Sequence, residues 1–412
     1  MDMAKPTIRF KGYQDDWEQR KLGDVAPLRG GYAFKSSEYK KDGTPIVRIS
    51  NILPDGSIGA DFACYDDMEN DENISLRNGD ALLAMSGATT GKVSILKCKN
   101  TDKYYQNQRV GYFKRNIQYN YDFVSTIVRS DLFKEQLMSV LVAGAQPNVS
   151  SKEIDSFEFV FPLNIEEQKK IGQYFANLDT LITLHQRKCD ETKRLKKYML
   201  QKMFPQNGEK VPEIRFSGFT DDWEQRKVTD LGEIYIGLVT TMTEHYTDKG
   251  HLLIRNSDIK DGYFEFGENP IYLDEEFSEQ NKSRMHQLGD VITVHTGDIG
   301  TSAVIGENEV NSIGFATIVT RPNQEILDSN YFATYLNTDT HKQWAISMAT
   351  GDRRSNYNLK DYTKLVVPIP EIEEQKKIAT CIVNLNSLIT LHQRELENLQ
   401  NIKKFMLGKM FV

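Results

Sequence analysis

The sequence contains little of what a secreted, membrane-spanning or disulfide-bonded protein needs. Four cysteines occur in 412 residues, at positions 64, 98, 189 and 381, and no two of them form a Cys-x-x-Cys pair. No run approaches the roughly 18 consecutive apolar residues of a membrane span, and the opening segment MDMAKPTIRF lacks the apolar core of a secretion signal. We therefore expect a cytoplasmic protein with reduced thiols.

Motifs that would indicate catalysis are also scarce. The segment GATTGKV at 87–93 is one residue short of a phosphate-binding loop and has no hydroxyl residue after Lys92. The segment NPIY at 269–272 is similar to the N-P-P-[YFW] loop of amino-methyltransferases, but it lacks the second proline and has no glycine-rich cofactor turn beside it. The seven histidines never lie four residues apart. We predict no catalytic residue, no metal site and no cofactor in this chain.

The chain has fewer basic than acidic residues, 51 Lys and Arg against 58 Asp and Glu, so its formal net charge is −7. This balance argues against a simple nucleic-acid-binding protein, since such proteins are often basic. The distribution is uneven, however: residues 165–204 hold nine Lys and Arg against five Asp and Glu, and residues 372–411 hold six against four. A nucleic acid would therefore be bound by local patches, or by a complex that includes a basic partner.

The chain contains one unit that occurs twice, at an offset of about 207 residues. Between the matching blocks, residues 23–161 and 229–367 resemble each other only as patterns. The repeat therefore has constant parts and a variable part. The matching blocks are PTIRFKGYQDDWEQRKL (6–22) and PEIRFSGFTDDWEQRKV (212–228), IEEQKKI (165–171 and 372–378), LITLHQR (181–187 and 388–394), and KKYMLQKMF (196–204) and KKFMLGKMF (403–411).

Each constant block around LITLHQR predicts one long helix. Apolar residues recur at spacings of three and four over five turns or more, which is typical of a coiled-coil seam. Two such helices in one chain most simply pair antiparallel with each other, and His185 and His392 should then face each other near mid-length. We interpret these histidines as polar seam residues that set register, not as catalytic groups. The predicted seam comprises Ile171, Phe175, Leu178, Ile182, His185, Ile378, Ile382, Leu385, Ile389 and His392.

The variable stretches predict short strands separated by Gly and Asp turns, with a helix near each end, at 121–141 and 330–348. The fold class is therefore α+β, with two small α/β globules joined by two long helices that form an antiparallel coiled coil. The repeat is pseudo-twofold and circular, because the block after the first helix is split between the chain ends, so the termini should lie close together. The predicted boundaries are 1–161 for the first globule, 162–205 for the first helix, 206–368 for the second globule and 369–412 for the second helix.

Polar loops of the variable stretches carry side chains suited to reading DNA bases. Gln and Asn can bond adenine through two hydrogen bonds, and Arg can do the same with guanine. An ordinary solvated loop is the competing interpretation for each residue. The candidates are Tyr32, Lys35, Ser86, Thr89, Thr90, Lys92, Gln108, Arg109, Gln146, Asn148, Ser150, Ser151 and Lys152 in the first copy, and Thr240, Thr241, Thr296, Thr301, Ser302, Arg353, Arg354, Ser355, Asn356 and Tyr357 in the second.

The order of variable globule and constant helix, twice over, resembles the specificity subunit of type I restriction–modification enzymes. The phrases DDWEQRKLGDV, PLNIEEQKKIGQYFANLDTLITLHQRK and LKKYMLQKMF carry this resemblance, which covers essentially the whole chain. It implies that the globules are target recognition domains, each reading half of a bipartite site in double-stranded DNA. It also implies that the paired helices act as a spacer and dock two methyltransferase subunits.

The same resemblance implies a non-enzymatic chain. S-adenosylmethionine and the methyl-transfer residues would belong to the methyltransferase subunits, and restriction subunits would join the larger assembly. Two alternatives stay open. A scaffold with two protein-binding globules accounts better for the acidic charge, but poorly for constant helices beside divergent polar loops. A self-contained methyltransferase would require tight cofactor binding by the isolated chain.

Overall fold

A computed structural model of the chain describes residues 5–141, 148–206, 208–349 and 356–411. They form two compact units: unit 1 consists of Met1–Leu184 and Glu395–Val412, and unit 2 of His185–Arg394. Each unit combines one globule with segments of both long helices. The boundaries expected for the two long helices, 162–205 and 369–412, enclose the helices that are observed. Each helix is nevertheless divided between the two units, one part packing with each globule.

Two long helices dominate the helical content, as the seam spacing predicted. The first long helix is Ile165–Lys202 and the second is Ile372–Met410. Each has two glutamates in its first turn and a lysine in its last, which suits the helix dipole. Neither these helices nor the shorter ones in the described ranges combine the length and apolar character needed to cross a bilayer.

The globule of unit 1 contains two four-stranded sheets and a two-stranded ribbon. The first sheet is antiparallel throughout, whereas the second has one parallel pair, Thr44–Val47 with Tyr104–Gln106. In spatial order the strands are Leu28–Arg29, Val110–Phe113, Ala81–Ala84 and Val93–Ile95 in the first sheet; Ala63–Tyr65, Thr44–Val47, Tyr104–Gln106 and Ser75–Leu76 in the second; and Trp17–Lys21 with Glu158–Pro162 in the ribbon. The shorter helices are Leu22–Val25, Tyr121–Ile127, Asp131–Leu141 and Ser151–Asp155.

Unit 2 repeats the strand order of the first sheet and the ribbon, but in its second sheet the parallel pair lies at one edge instead of in the middle. It also has one further strand pair, Ile259–Lys260 with Tyr263–Phe264. The parallel pair is again present, between His251–Arg255 and Ile313–Phe315. The strands are Gly232–Ile236, Ile318–Pro322, Val291–Thr293 and Ser302–Val304 in the first sheet; Tyr246–Thr247, Tyr272–Leu273, His251–Arg255 and Ile313–Phe315 in the second; and Glu224–Lys227 with Val366–Ile369 in the ribbon. The shorter helices are Glu275–Gln280, Ser329–Leu336, Asp339–Met348 and Leu359–Tyr362.

The prediction of a single helix near the end of each variable stretch is wrong, because each of these regions contains two consecutive helices. In unit 2 the break falls at Thr338, whose hydroxyl oxygen accepts a hydrogen bond from the backbone N–H of His341 at 3.3 Å. In unit 1 the hydroxyl of Ser130 accepts from the N–H of Phe133 at 3.4 Å. Ser and Thr are favoured caps, so each starts a new helix where the apolar pattern alone indicated continuity.

The circular character of the repeat is confirmed within each unit. In unit 2 the backbone N–H of Ile214 donates to the carbonyl of Lys202, at the end of the first long helix, over 2.9 Å. In unit 1 the N–H of Ile8 makes the same bond to Lys409, at the end of the second long helix, also over 2.9 Å. The segment around Ile8 thus contacts the end of the second long helix in the same way as the segment around Ile214 contacts the end of the first.

A buried ion pair closes each unit at the same place. Arg9 donates two hydrogen bonds to the carboxylate of Glu167, at 2.6 and 2.8 Å, and Arg215 donates two to Glu374, at 2.8 and 2.9 Å. Both glutamates are fully buried. A buried carboxylate requires such pairing because its desolvation is costly. These pairs tie the segment before each ribbon to the first turn of a long helix.

The seam predicted for the long helices packs as expected within each unit. In unit 1, Phe175 lies 5.7 Å from Phe411 between ring centroids, and Asp179 accepts a hydrogen bond from Lys403 at 2.6 Å. The numbers rise on one helix as they fall on the other, so these segments run antiparallel. Ile171, Phe175, Leu178, Ile378, Ile382 and Leu385 are buried, and Ile182 and Ile389 are half-buried.

The two histidines of the seam face each other, as predicted from mid-length pairing. The rings of His185 and His392, both in unit 2, lie 5.4 Å apart between centroids at an angle of 70°. Each Nδ1 atom is buried, and neither has a hydrogen-bond partner among the described residues. A polar pair at a seam restricts register at a cost in stability, so the register-setting role remains our interpretation.

The buried ion pair of unit 1 yields a stability prediction. Replacing Glu167 by Gln leaves the Arg9 guanidinium without its counter-charge, so the free energy of unfolding should fall by about 3 kcal/mol. Urea unfolding monitored on the aromatic core of unit 1 measures this. Glu166→Gln is the matched control, since Glu166 is exposed on the same turn. Equal stability of the two variants would contradict a structural role for the pair.

Candidate nucleic-acid interface

In unit 1, four of the predicted loops lie side by side. The backbone N–H of Gln108 donates to the carbonyl of Tyr32 at 3.0 Å, and the N–H of Met85 donates to the carbonyl of Arg109 at 3.1 Å. The N–H of Val149 in turn donates to the carbonyl of Met85 at 3.0 Å. Segments that are far apart in sequence therefore form one surface, which we call interface 1: Tyr32, Ser86, Gln108, Arg109 and Asn148.

Most of the residues predicted on this surface are accessible. Tyr32 is 45% exposed, and its ring lies edge-on against Phe34, which stacks on the buried ring of Tyr105. This contact holds the exposed ring on the core. Tyr32, Lys35, Lys92, Gln108, Arg109, Asn148, Ser150 and Lys152 are exposed, and Ser86, Thr89, Thr90 and Ser151 are half-buried.

The loops that form interface 1 carry cations that no described residue neutralises. Lys92, Arg109 and Lys152 are exposed and form no ion pair with a described residue, whereas Lys35 lies 3.2 Å from Glu38. Unpaired surface cations are the groups that bind nucleic-acid phosphates and release their counterions. The local charge of the loops thus differs in sign from the net charge of the chain.

Ser150 has an architectural role that the sequence reading did not assign. Its hydroxyl oxygen accepts a hydrogen bond from the backbone N–H of Glu153 at 3.2 Å, which caps the helix Ser151–Asp155. The Glu153 carboxylate accepts from the backbone N–H of Ser150 at 2.8 Å and from its hydroxyl at 2.7 Å, and these bonds lower the pKa of Glu153. This is a capping box, and it orients the loop that carries Asn148.

Unit 2 builds an equivalent surface from different side chains. The hydroxyl of Thr296 donates to the side-chain carbonyl of Asn356 at 2.9 Å, and the backbone N–H of Tyr357 donates to the carbonyl of His295 at 2.9 Å. The bridge between residues 296 and 356 corresponds to that between Ser86 and Asn148 in unit 1. Interface 2 comprises Thr240, Thr241, Thr296 and Asn356; the two threonines at 240 and 241 are exposed, and Thr296 and Asn356 are half-buried.

Three predicted contact residues of the second copy are enclosed in the core instead. Thr301 donates to Asp298 at 2.7 Å, and the hydroxyl of Ser302 bonds that of Thr293 at 2.9 Å. Tyr357 packs against His341 and is fully buried. Burial raises the pKa of the Tyr357 hydroxyl and lowers the pKa of His341 to about 4. These three side chains point into the core, so they are not available to a ligand.

Four further predicted residues, Gln146, Arg353, Arg354 and Ser355, lie outside the described residues. The remaining chemistry offers no cation-binding cluster: in the described part of the chain, no group of three or more His, Cys, Asp and Glu is placed to hold a metal ion.

The sequence reading missed Asn256, which organises interface 2. Its side-chain carbonyl accepts from the backbone N–H of His295 at 2.7 Å, and its amide donates to the carbonyl of Ala316 at 3.1 Å. Beside it, Phe315 exposes 40% of its surface. The segment IRNSDIKDG (254–262) resembles VRISNILPDG (47–56) of the first copy, but a pattern between divergent copies does not show which side chain links two loops.

Comparison with known proteins identifies the family. A family model described as the type I restriction modification DNA specificity domain matches residues 14–194 and again residues 220–401. The chain belongs to the type I restriction–modification DNA specificity family. Each matched segment runs through one globule and into a long helix, so the family domain coincides with the internal repeat.

Members of this specificity family match the chain over nearly its full length. The EcoBI specificity subunit of Escherichia coli is 22% identical over 418 residues, covering 96% of this chain and 86% of that subunit. The MjaVIII specificity subunit of Methanocaldococcus jannaschii is 20% identical, covering 95% and 91%. The crystal structure of the S subunit from M. genitalium has a TM-score of 0.67 at 13% identity and covers 99% of both chains. The fold expected from the sequence, two globules with two long helices, is therefore confirmed.

The capping box leads to a prediction that separates architecture from recognition. Ser150→Ala should lower the free energy of unfolding by about 1 kcal/mol, because one backbone N–H loses its cap. The neighbouring Ser151→Ala, which removes no cap, is the control and should change stability by less than about 0.5 kcal/mol. Thermal unfolding of both variants measures the difference. Unchanged stability with altered DNA recognition in Ser150→Ala would instead assign its hydroxyl to base reading.

Proposed function

We propose that this chain is the DNA sequence-specificity subunit of a type I restriction–modification complex. Interface 1 and interface 2 each read one half of an asymmetric, bipartite site in double-stranded DNA. The long helices set the unread spacer and dock two methyltransferase subunits, and the chain itself is not catalytic. S-adenosylmethionine is bound by those partners, and restriction subunits complete the assembly.

One observation carries the recognition part of this proposal: the same loop scaffold recurs with different side chains. Residue 86 bridges residue 148 in unit 1, and residue 296 bridges residue 356 in unit 2, on sheets of the same order. Yet Gln108 and Arg109 of interface 1 are exposed, whereas the matching positions of unit 2 hold Ala316 and a fully buried Thr317, which present no side-chain hydrogen-bonding group to a ligand. A shared frame with different hydrogen-bonding groups is what two readings of two different base sequences require.

A second observation supports docking of two copies of one partner. Both long helices expose large apolar side chains at matched positions, 207 residues apart and between 42% and 57% exposed. Unit 1 carries Leu181, Ile402 and Phe405, and unit 2 carries their counterparts Leu388, Leu195 and Tyr198. Exposed apolar groups on a polar helix mark interaction surfaces, and equivalent surfaces bind equivalent partners.

The proposal as a whole is tested by methylome sequencing of host DNA. The chain is expressed with its methyltransferase subunit, alone, and not at all. We expect one split, asymmetric methylated motif with a fixed number of unread base pairs, present only when both proteins are present. Soluble complex without new methylation would argue for a scaffold that binds proteins through both globules.

Interface 1 should govern one half of that motif alone. Arg109→Ala removes an exposed guanidinium that forms no ion pair with a described residue. We expect binding to weaken by about 1–3 kcal/mol, with relaxed preference at one position of one half-site. Affinity of the assembled complex for duplexes altered in either half measures this. Arg20→Ala, on the ribbon and ion-paired with Glu18, is the charge-matched control. Equal losses on both half-sites would contradict separate reading.

The docking surfaces can be removed one at a time. Ile402→Ala with Phe405→Ala should displace one methyltransferase subunit, since truncation of a central apolar contact typically costs about 2 kcal/mol or more. The counterparts Leu195→Ala with Tyr198→Ala should displace the other, and all four changes both. Native mass spectrometry counts the bound subunits, with Leu288→Ala, an exposed leucine of the unit 2 globule, as control. Two subunits on the fourfold variant would place docking elsewhere.

A further inference from the structure

Unit 2 contains a groove of about 790 Å³ that the proposed function does not use. Its walls are the C-terminal part of the first long helix, the middle of the second, the turn at Asp261–Tyr263 and the start of the helix Asp339–Met348. Five lysines line it: Lys193, Lys196, Lys197, Lys202 and Lys342. Asp261 and Asp339 are the acidic residues of the lining, so the groove carries a local excess of positive charge.

The groove lies where two of three equivalent positions differ in size or charge between the units, the third position being lysine in both. In unit 1, Asp179 receives hydrogen bonds from Arg129 at 2.5 Å and from Lys403 at 2.6 Å. Burial raises the pKa of Asp179, but the two cations outweigh this and hold it below its usual value. The counterparts of Asp179, Arg129 and Lys403 in unit 2 are Asn386, Asn337 and Lys196.

The substituted residues of unit 2 leave the space between the helices open. Asn337 is short, and its amide donates to the backbone carbonyl of Ser302 at 2.8 Å, away from the long helices. Lys196 has no carboxylate at position 386 and instead donates to Asp261 at 2.8 Å. Where unit 1 places a compact three-residue ion cluster, unit 2 thus places polar amides around a groove.

The charge of the groove is not neutralised from within. Lys196 is buried and paired with Asp261, and Lys202 is paired with Glu213. Lys193, Lys197 and Lys342 form no ion pair with a residue in the described ranges. Three lysines directed at one space repel each other and favour an anionic occupant.

We propose that this groove binds phosphate groups of the duplex beside the half-site that interface 2 reads. The inference rests on the proposed function and adds a contact that is independent of base sequence. Lysine is a compact point charge suited to phosphate, and the Asn, Gln and Thr side chains of the lining supply further hydrogen-bond donors. A protein partner would call for a more apolar lining, rich in aromatic residues.

The position of the groove within unit 2 suits this role. Lys342 lies one residue from His341, whose ring centroid is 6.0 Å from that of Tyr357. Tyr357 follows the interface residue Asn356, and its backbone N–H bonds the loop that carries Thr296. The first turn of the helix Asp339–Met348 therefore links the groove to the residue that follows Asn356 of interface 2. In the proposed arrangement, a duplex seated on interface 2 reaches the groove with its backbone.

The test uses the full chain bound to its methyltransferase subunits and measures DNA affinity against salt. Two duplexes are compared, one with the methylated site and one with both half-sites scrambled. Lys197→Gln with Lys342→Gln should lower the slope of log affinity against log salt by about 0.9 per lost phosphate contact, so by up to about 2, on both duplexes. The matched control is Lys404→Gln with Lys134→Gln, the equivalent lysines of unit 1, which should leave the slope unchanged.

An isosteric change tests the groove without removing a side chain. Asn386→Asp places a carboxylate where unit 1 has Asp179, and it should weaken binding to both duplexes about equally. Asn384→Asp, exposed on the same helix and outside the lining, is its control.

The outcomes separate this proposal from the proposed function. An unchanged salt slope in the lysine variant together with unchanged affinity in Asn386→Asp would overturn phosphate binding. Loss of a methyltransferase subunit with unchanged slopes would also overturn it and would assign the groove to a protein segment. If the wild-type complex does not distinguish the two duplexes, the proposed function fails, yet a lower slope in the lysine variant would still support the groove.

Discussion

In each unit a buried glutamate at the start of a long helix accepts two hydrogen bonds from an arginine that precedes the globule. The pairs are Arg9 with Glu167 and Arg215 with Glu374. The residue after each glutamate is a buried glutamine, Gln168 or Gln375. Its side-chain carbonyl accepts a hydrogen bond from the backbone N–H of the residue that precedes the helix Tyr121–Ile127 or Ser329–Leu336. This constraint fixes the globule on the helix before any reading loop is considered.

The contact between globule and long helix that these ion pairs make, which we call the junction, occurs twice because the repeat is circular. The remaining architecture follows from this duplication. Trp17 and Phe123 of unit 1 correspond to Trp223 and Tyr331 of unit 2, and Phe411, after the second long helix, fills the place that Phe204 fills after the first. Because the ion pairs and the helix seams are equivalent in the two units, the loops can differ in sequence while the fold stays the same. The exposed loop side chains, such as Gln108 and Arg109 of unit 1, can therefore vary without changing the junctions.

Much of the fold could be predicted from the sequence, because two copies in one chain act as their own comparison. The long helices, the closeness of the N-terminal segment to the last helix and the facing histidines all followed from repeat offsets and apolar spacing. What failed was local. The breaks at Ser130 and Thr338 depend on single capping hydroxyls within an unbroken apolar pattern.

The candidate site was predicted less well for a physical reason. Loop composition indicates which side chains have the chemistry to bind bases, but not which way they point. Tyr357 carries a suitable group yet is buried, because the chain enters the core directly after Asn356. Ser150 is accessible yet serves as a cap. Asn256 links two loops through bonds that only the folded chain brings together.

The central claim is that constant junctions hold interchangeable reading surfaces. It is tested most directly by a chimera in which residues 229–367 replace residues 23–161, so that both junctions carry the variable segment of unit 2. Methylome sequencing of a host that expresses this chimera with its methyltransferase should reveal a symmetric motif, with the unit 2 half-site repeated in inverted order. A soluble chimera that assembles with both methyltransferase subunits but still methylates an asymmetric motif would contradict the account.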